Sequence, residues 1–330
     1  MNILVTGGAG FIGSHTCVAL LEAGHTVIAV DNLSNSKAET IDRIKQITGH
    51  DVPFYQVDVT VATAVEQIMA NHSIDGIIHF AGFKAVGESV AKPLVYYYNN
   101  LVSTMVLAMA CQKYSVNRFV FSSSATVYGE NEVPFIETMD LLPATNPYGA
   151  TKAMSERILT DAAGANPKLS VALLRYFNPV GAHESGLIGE APTGVPNNLM
   201  PYVTQVAKGK LEKLRVFGGD YPTVDGTGVR DYIHVMDLAE GHVAALNHLT
   251  AGVHIYNLGT GQGTSVLQLV KTFAEVNGID VPYVIVDRRP GDIAECYADA
   301  SKARRELNWA ARRGLAEMCR DAWRFEKSMV

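Results

Sequence analysis

The sequence lacks any pairing or clustering among its cysteines. Cys17, Cys111, Cys296 and Cys319 are scattered through 330 residues with neither CxxC nor ligand-like spacing, which argues against a disulfide framework or a zinc site and fits a reducing, cytoplasmic setting. The ten histidines form no HExxH or similar pair, and no metal is expected. Long apolar runs are missing too, since none approaches the roughly 18 residues of a membrane span. The strand-like run Asn2 to Thr6 follows Met1 directly and leaves no room for a signal peptide. Basic residues are outnumbered, with 27 Lys and Arg against 33 Asp and Glu and a formal net charge of -6. Neither nucleic acid nor an anionic membrane is therefore expected as the main partner, and an anionic ligand would need a local cluster of Arg or Lys.

What is present is a 48% hydrophobic chain, long enough for a large core and for two lobes sharing one sheet. Short β-branched runs alternate with helical patterns: a strand at Ile3 to Val5, a helix from Phe11 to about Ala23, then a strand at Val27 to Val30. Further buried strands read at Phe54 to Val57, Gly76 to Phe80, Arg118 to Ser122 and Val171 to Tyr176. Runs apolar on both faces suit a parallel sheet covered on both sides. From about Asn178 the texture turns rich in Gly, Pro and Asn, notably over Gly181 to Asn198 and Gly218 to Gly228, and helical patterns resume at Val235 to Leu249, Ser265 to Val276 and Leu315 to Lys327. The expected fold class is α/β, a Rossmann-type doubly wound parallel sheet with a smaller C-terminal substrate-binding lobe. Residues 1–177 would form the first domain and residues 178–330 mainly the second, with some segments returning to the first.

Thr6 to Gly13 reads TGGAGFIG, placed between a strand and a helix. Gly8, Gly10 and Gly13 match GxGxxG, and Gly7, Gly10 and Gly13 match GxxGxxG. Glycines there permit a tight turn and let a pyrophosphate approach the backbone at the helix N-terminus, beside Phe11 and Ile12. Asp31 ends the second strand, where a carboxylate would bond the adenosine ribose hydroxyls. It would repel a 2'-phosphate, and Asn32, Leu33 and Ser34 supply no Arg to attract one, so the expected cofactor is NAD. Asp58 and Val59 follow the third strand; Asp58 suits either the adenine amino group or a helix cap. Phe80, Ala81 and Gly82 end the fourth strand, where a cofactor would lie close to the backbone.

Tyr148 and Lys152 lie four apart in YGATK on a helical pattern and share one face. An isolated YxxxK is most often a surface pair; behind a dinucleotide turn it reads as chemistry. A phenol with a reference pKa of about 10 is a poor base at neutral pH, and a nearby ammonium and a positive nicotinamide would favour its phenolate. Ser124, last of three adjacent serines, would hydrogen-bond the reacting oxygen. Together these three describe proton removal from an alcohol coupled to hydride transfer.

In FSSSATVYG (Phe121 to Gly129), NPYGATK (Asn146 to Lys152), LLRYFNPVGAH (Leu173 to His183), NNLMPY (Asn197 to Tyr202), DGTGVRDYIHVMDLA (Asp225 to Ala239) and HIYNLGTG (His254 to Gly261), the chain resembles the UDP-hexose 4-epimerases of the extended short-chain dehydrogenase/reductase family along nearly its whole length. The resemblance implies that Tyr148 takes the O4 proton while hydride passes from C4 to NAD, giving a 4-keto sugar that rotates and receives hydride on its other face. It further implies that Lys84, Asn99 and Phe177 line the cofactor or sugar region and that Asp31 to Ser36, including Asn35, hold adenosine. The UDP part would fall to Asn178, Asn198, Leu199, Phe217, Arg230, Tyr232, Arg289 and Asp292, with the two arginines supplying the charge a diphosphate needs. Cys296 stands where some members carry a bulky tyrosine and those accepting N-acetylated hexosamines a small residue, so UDP-GlcNAc and UDP-GalNAc are expected substrates beside UDP-glucose and UDP-galactose. Helices at Leu94 to Cys111 and Tyr148 to Ala162 would pair in a homodimer. A 4,6-dehydratase would carry Thr, Asp and Glu where Ser124, Ala125 and Thr126 stand, and a non-catalytic dinucleotide sensor would not need Ser124, Tyr148 and Lys152 together.

Overall fold

The structure, a computed structural model, describes residues 1–192, 194, 196–289 and 291–329. Thr193 and Val195, within the Gly- and Pro-rich stretch noted above, lie outside the described residues, as do Pro290 and Val330. The chain opens as a series of strands and helices: β1 (Asn2–Thr6), α1 (Phe11–Glu22), β2 (Thr26–Asp31), α2 (Glu39–Thr48), β3 (Phe54–Gln56) and α3 (Ala62–Asn71). It continues with β4 (Gly76–His79), α4 (Val86–Ala91), α5 (Pro93–Tyr114), β5 (Arg118–Ser124), α6 (Pro147–Ala165) and β6 (Ser170–Tyr176). The expected strands and helices lie within three residues of these bounds.

The later chain has more strand than its texture suggested: β7 (Asn178–Val180), α7 (Leu199–Ala207), β8 (Leu214–Phe217), β9 (Val229–His234), α8 (Val235–His248) and β10 (Gly252–Leu258). Then follow β11 (Gly263–Ser265), α9 (Val266–Asn277), β12 (Tyr283–Val286), β13 (Glu295–Cys296), α10 (Ser301–Leu307) and α11 (Leu315–Ser328). These strands are mostly short and pair over long sequence distances, so no local alternation marks them.

The main sheet is wholly parallel in the order β10-β6-β5-β4-β1-β2-β3. Strand order reverses between β1 and β4, the place where a crevice opens at the carboxyl ends of the strands. Side chains alternate across the pleat: Ile3 and Val5 join one core cluster with Val18, Leu20, Leu238 and Leu246, while Leu4 joins the other with Ile68, Leu107 and Leu159. Helices α1 and α8 pack together over the first cluster, and α3, α5 and α6 cover the second. A separate cluster under α7, α9 and α11 gathers Val203, Val216, Leu269, Phe273 and Trp323, beside the smaller sheet of β7, β9, β11 and β13 and the β8–β12 pair.

A buried ionic group ties the main sheet to α6. The Glu156 carboxylate accepts from Ser123 Oγ at 2.5 Å and from the Arg175 guanidinium at 3.0 and 2.6 Å, with 6% and 3% of the Glu and Arg side chains exposed. Arg175 also lies 4.8 Å over the Tyr128 ring, and the Tyr128 hydroxyl donates to Asn257 of β10 at 2.6 Å. Glu156→Leu would leave Arg175 an uncompensated buried cation, and unfolding in denaturant should show a loss of about 3–5 kcal/mol. Adding Arg175→Met should recover most of that loss.

Candidate active site

The turn from β1 to α1 is built on Gly7 and Gly8, whose N–H groups both donate to Val30 O, at 2.7 and 3.2 Å. Gly7 has a φ of +70°, and a Cβ there would lie 2.9 Å from the Ala81 backbone nitrogen. Gly13 packs directly on the Gly7 backbone, so helix and turn touch with no side chain between them. Gly10 caps α1 without a side chain, and the first turn of α1 carries no acidic residue. Its free N–H groups and positive dipole end therefore open on a concave surface suited to a pyrophosphate.

At the end of β2 the buried Asp31 carboxylate accepts from Ala9 N at 3.1 Å, Leu33 N at 2.9 Å and Ser36 Oγ at 2.8 Å. These bonds hold a charged acceptor in one orientation for ribose hydroxyls. Asp58 accepts from Thr60 N and Oγ1 at 2.9 and 2.7 Å, which closes the turn ahead of α3 without capping the helix, whose N-cap is Val61, and it faces the same cavity.

One cavity of about 830 Å³ joins these groups to the chemistry. Its walls include Gly7, Gly10, Phe11, Ile12 and Gly13 of the turn, with Asp31, Asn32, Ser34, Asn35 and Ser36 behind them. Val59, Phe80, Ala81, Gly82, Lys84, Asn99 and Phe177 continue the lining, and Asn178, Asn198, Arg230, Asp292 and Cys296 line it as well. Ser124, Tyr148 and Lys152 line it too.

Five expected residues do not line it. Leu33 takes a left-handed conformation with φ 59° and donates to Asp31. Tyr232 is buried in the core under α7 and α9, and Leu199 packs on that core as the first residue of α7. Arg289 stacks its guanidinium 3.9 Å from the Phe217 ring centroid, so that these two make a joint outside the cavity wall.

The chemical group is set by the start of α6. Asn146 caps the helix by accepting from Gly149 N at 2.9 Å, and Pro147 supplies a preset φ at its first position. Tyr148 thus sits in the first turn and Lys152 one turn on. Ser124, at the end of β5, accepts from Thr126 N at 3.2 Å and Thr126 Oγ1 at 3.0 Å, and its hydroxyl lies on the Tyr148 side, where it favours the phenolate. Lys152 donates to Ser122 O at 2.7 Å and lies 5.9 Å from the Tyr148 ring centroid. Burial raises the Tyr148 phenol above its ordinary value, opposed by the nearby Ser124 hydroxyl. Burial lowers the Lys152 ammonium to about 8, opposed by the negative charge of Glu156. Among the described residues no group of three His, Cys, Asp or Glu is arranged to hold a metal.

Tyr176 and Glu190 are among the wall residues that the sequence did not single out. Tyr176 was legible only as part of a strand, yet it lines the cavity and shares a close hydrogen bond with Ser122. Glu190 lies in the Gly- and Pro-rich stretch, with no periodicity to mark it.

A family model described as "NAD dependent epimerase/dehydratase family" matches residues 3–259. The chain belongs to that family. It is 61% identical over 332 residues to a protein named UDP-glucose 4-epimerase from Bacillus subtilis (strain 168), covering 100% of this chain and 98% of that one. It is also similar to a solved UDP-glucose 4-epimerase from Bifidobacterium longum in complex with NAD+ and UDP, with a TM-score of 0.97, 52% identity and coverage of 100% and 99%. A UDP-glucose-4-epimerase from Stenotrophomonas maltophila with bound NAD and formylated UDP-arabinopyranose has the same TM-score of 0.97, at 52% identity and coverage of 100% and 98%. The family's dinucleotide fits the residues present: a side-chain-free turn for the pyrophosphate, a fixed carboxylate for the ribose, and no 2'-phosphate partner in Asn32 or Ser34.

A buried ammonium so lowered costs stability while it is charged. That cost is full below about 8 and fades as pH rises toward the ordinary Lys value of 10.5. Lys152→Met should therefore stabilise the cofactor-free protein by about 1–3 kcal/mol below the lowered value, while abolishing turnover. Thermal melts should show the gain at neutral pH shrinking above pH 8.

Proposed function

We infer that the protein is an NAD-dependent UDP-hexose 4-epimerase that interconverts UDP-glucose and UDP-galactose. The carrying observation is that Ser124, Tyr148 and Lys152 meet in one cavity with the dinucleotide turn at one side and Arg230 at another. Tyr148 accepts the proton of the sugar's C4 hydroxyl, and Ser124 holds the same oxygen. The raised phenol value means that Tyr148 depends on neighbouring positive charge, which Lys152 supplies from within the same helix. When bound, NAD supplies the hydride acceptor at C4 and returns the hydride, so that no net oxidation remains.

A dehydratase needs an additional acid and base beside the tyrosine. Ala125 is buried and apolar, and Thr126 spends its hydroxyl on Ser124, so the positions beside the serine provide neither. A sensor would not need a buried, destabilised Lys152.

The UDP moiety is assigned to the cavity's Arg230 side. Its guanidinium donates to Val229 O at 2.8 Å and stands 4.0 Å from Asp292, which holds the charge in place for a diphosphate. Residues 1–177 serve mainly the dinucleotide and residues 178–330 mainly the UDP-sugar, with α8 and β10 completing the first part. Cys296 lines the cavity and pairs with Arg230 in register between β13 and β9. Its small thiol favours acceptance of a 2-acetamido group, and thus of UDP-GlcNAc and UDP-GalNAc. A homodimer is supported by exposed apolar side chains on α5, where Leu94, Tyr98 and Met109 are 79%, 66% and 62% exposed, and by Met154 on α6. No helix among the described residues is long and apolar enough to cross a membrane. A cytoplasmic place in galactose metabolism fits the proposed substrates and the free cysteines.

Purified protein given UDP-galactose without added NAD should form UDP-glucose, followed by proton NMR, with no accumulating NADH absorbance. Tyr148→Phe should keep its NAD and lose about 10²–10⁴-fold in kcat; full activity in that variant would remove the tyrosine from the chemistry. Cys296→Tyr should abolish conversion of UDP-GalNAc and spare UDP-galactose, and equal effects on both would sink the argument from side-chain size.

A further inference from the structure

Glu190 lines the cavity at the end of a clamped hairpin. Ala182 and Gly189 bridge antiparallel, and His183 N donates to Ile188 O at 3.1 Å. Arg43 of α2 donates to Leu187 O at 3.1 Å, Ser328 Oγ donates to Gly186 O at 2.7 Å, and the Phe325 ring presses on Gly189. The carboxylate at the end of this hairpin is thus carried on a rigid base.

One oxygen of that carboxylate does two things. Glu190 Oε1 accepts from Lys84 Nζ at 3.0 Å and from Asn198 Nδ2 at 2.6 Å. Both donors line the cavity, from opposite stretches of chain. The carboxylate fixes the Asn198 amide, because the reverse orientation would set two oxygens against each other. It also neutralises Lys84, without which a carboxylate facing two diphosphate-bearing ligands would repel them. Among the described residues the second oxygen, Oε2, takes no hydrogen bond, although the side chain is only 11% exposed. Facing the cavity rather than sealed in the protein, this free carboxylate oxygen is open to a hydroxyl donor on the ligand.

Resting on the epimerase reading, we propose that Glu190 recognises a ligand hydroxyl through Oε2 while Oε1 holds Lys84 and Asn198 in fixed orientation. The hexose and the nicotinamide ribose both offer this chemistry. The test compares wild type and Glu190→Gln on UDP-galactose and on analogues lacking its 2-, 3- or 6-hydroxyl, with bound NAD measured after gel filtration. If the hydroxyl is the hexose's, the variant raises KM about tenfold, more than it lowers kcat, as expected for one hydrogen bond to a charged acceptor. It also loses the wild type's discrimination against one deoxy analogue. If the hydroxyl is the ribose's, bound NAD is lost about tenfold more readily and the deoxy pattern stays as in wild type. A variant with wild-type NAD retention and an unchanged deoxy pattern overturns the proposal, whatever its overall rate. A wild type that binds NAD but leaves UDP-hexoses unchanged overturns the epimerase reading and the proposal with it.

Discussion

The proposed catalytic arrangement is held by the pairing of Glu156 with Arg175. The carboxylate sits one helical turn beyond Lys152 and reaches Ser123, next to Ser124, so a single buried ion pair binds α6 to β5 and β6. Two charges taken out of water are costly unless their hydrogen bonds are filled; here Ser123 donates to the carboxylate and the Tyr128 ring faces the guanidinium, while Arg175 Nη1 is buried with no hydrogen bond among the described residues. The pair sets the distance between the helix that carries Tyr148 and the strand end that carries Ser124.

The same pair shapes the electrostatics of the site. Lys152 is buried among the sheet's carboxyl ends and would shed its proton more readily still without the negative charge of Glu156 on its own helix. Tyr148 is pushed the other way, toward the neutral phenol. The cofactor-free site is therefore held in a state that added positive charge converts into a base. In the proposed reaction this would couple proton removal to occupancy of the dinucleotide turn.

The glycine turn, Asp31 and the Tyr148–Lys152 spacing were legible in the sequence because each is local: a fixed offset between residues that one turn or one helix then keeps. The main strands were legible for the same reason, since burial on both faces writes a continuous apolar run. Glu190 was not, because its role comes from Lys84, 106 residues away, and from a hairpin held by α2 and α11. Asn100 is similar: its amide ties Phe83 to Thr151 and so fixes the loop after β4 against α6, a function visible only across two helices. β10 was missed as a strand because its partner β6 lies far earlier in the chain and its residues do not alternate cleanly. Phe217 and Arg289 stack on each other beside the cavity, a side-chain placement that matching positions by resemblance does not give.

The hairpin that carries Glu190 has a consequence for how the molecule is made. Its clamps, Arg324 and Ser328, lie 140 and 142 residues downstream of the backbone oxygens they bind. During synthesis the dinucleotide turn and the catalytic helix leave the ribosome long before α11 exists. The wall that carries Glu190, held on its other side by Arg43 of α2, therefore gains these two braces only once the last helix has emerged.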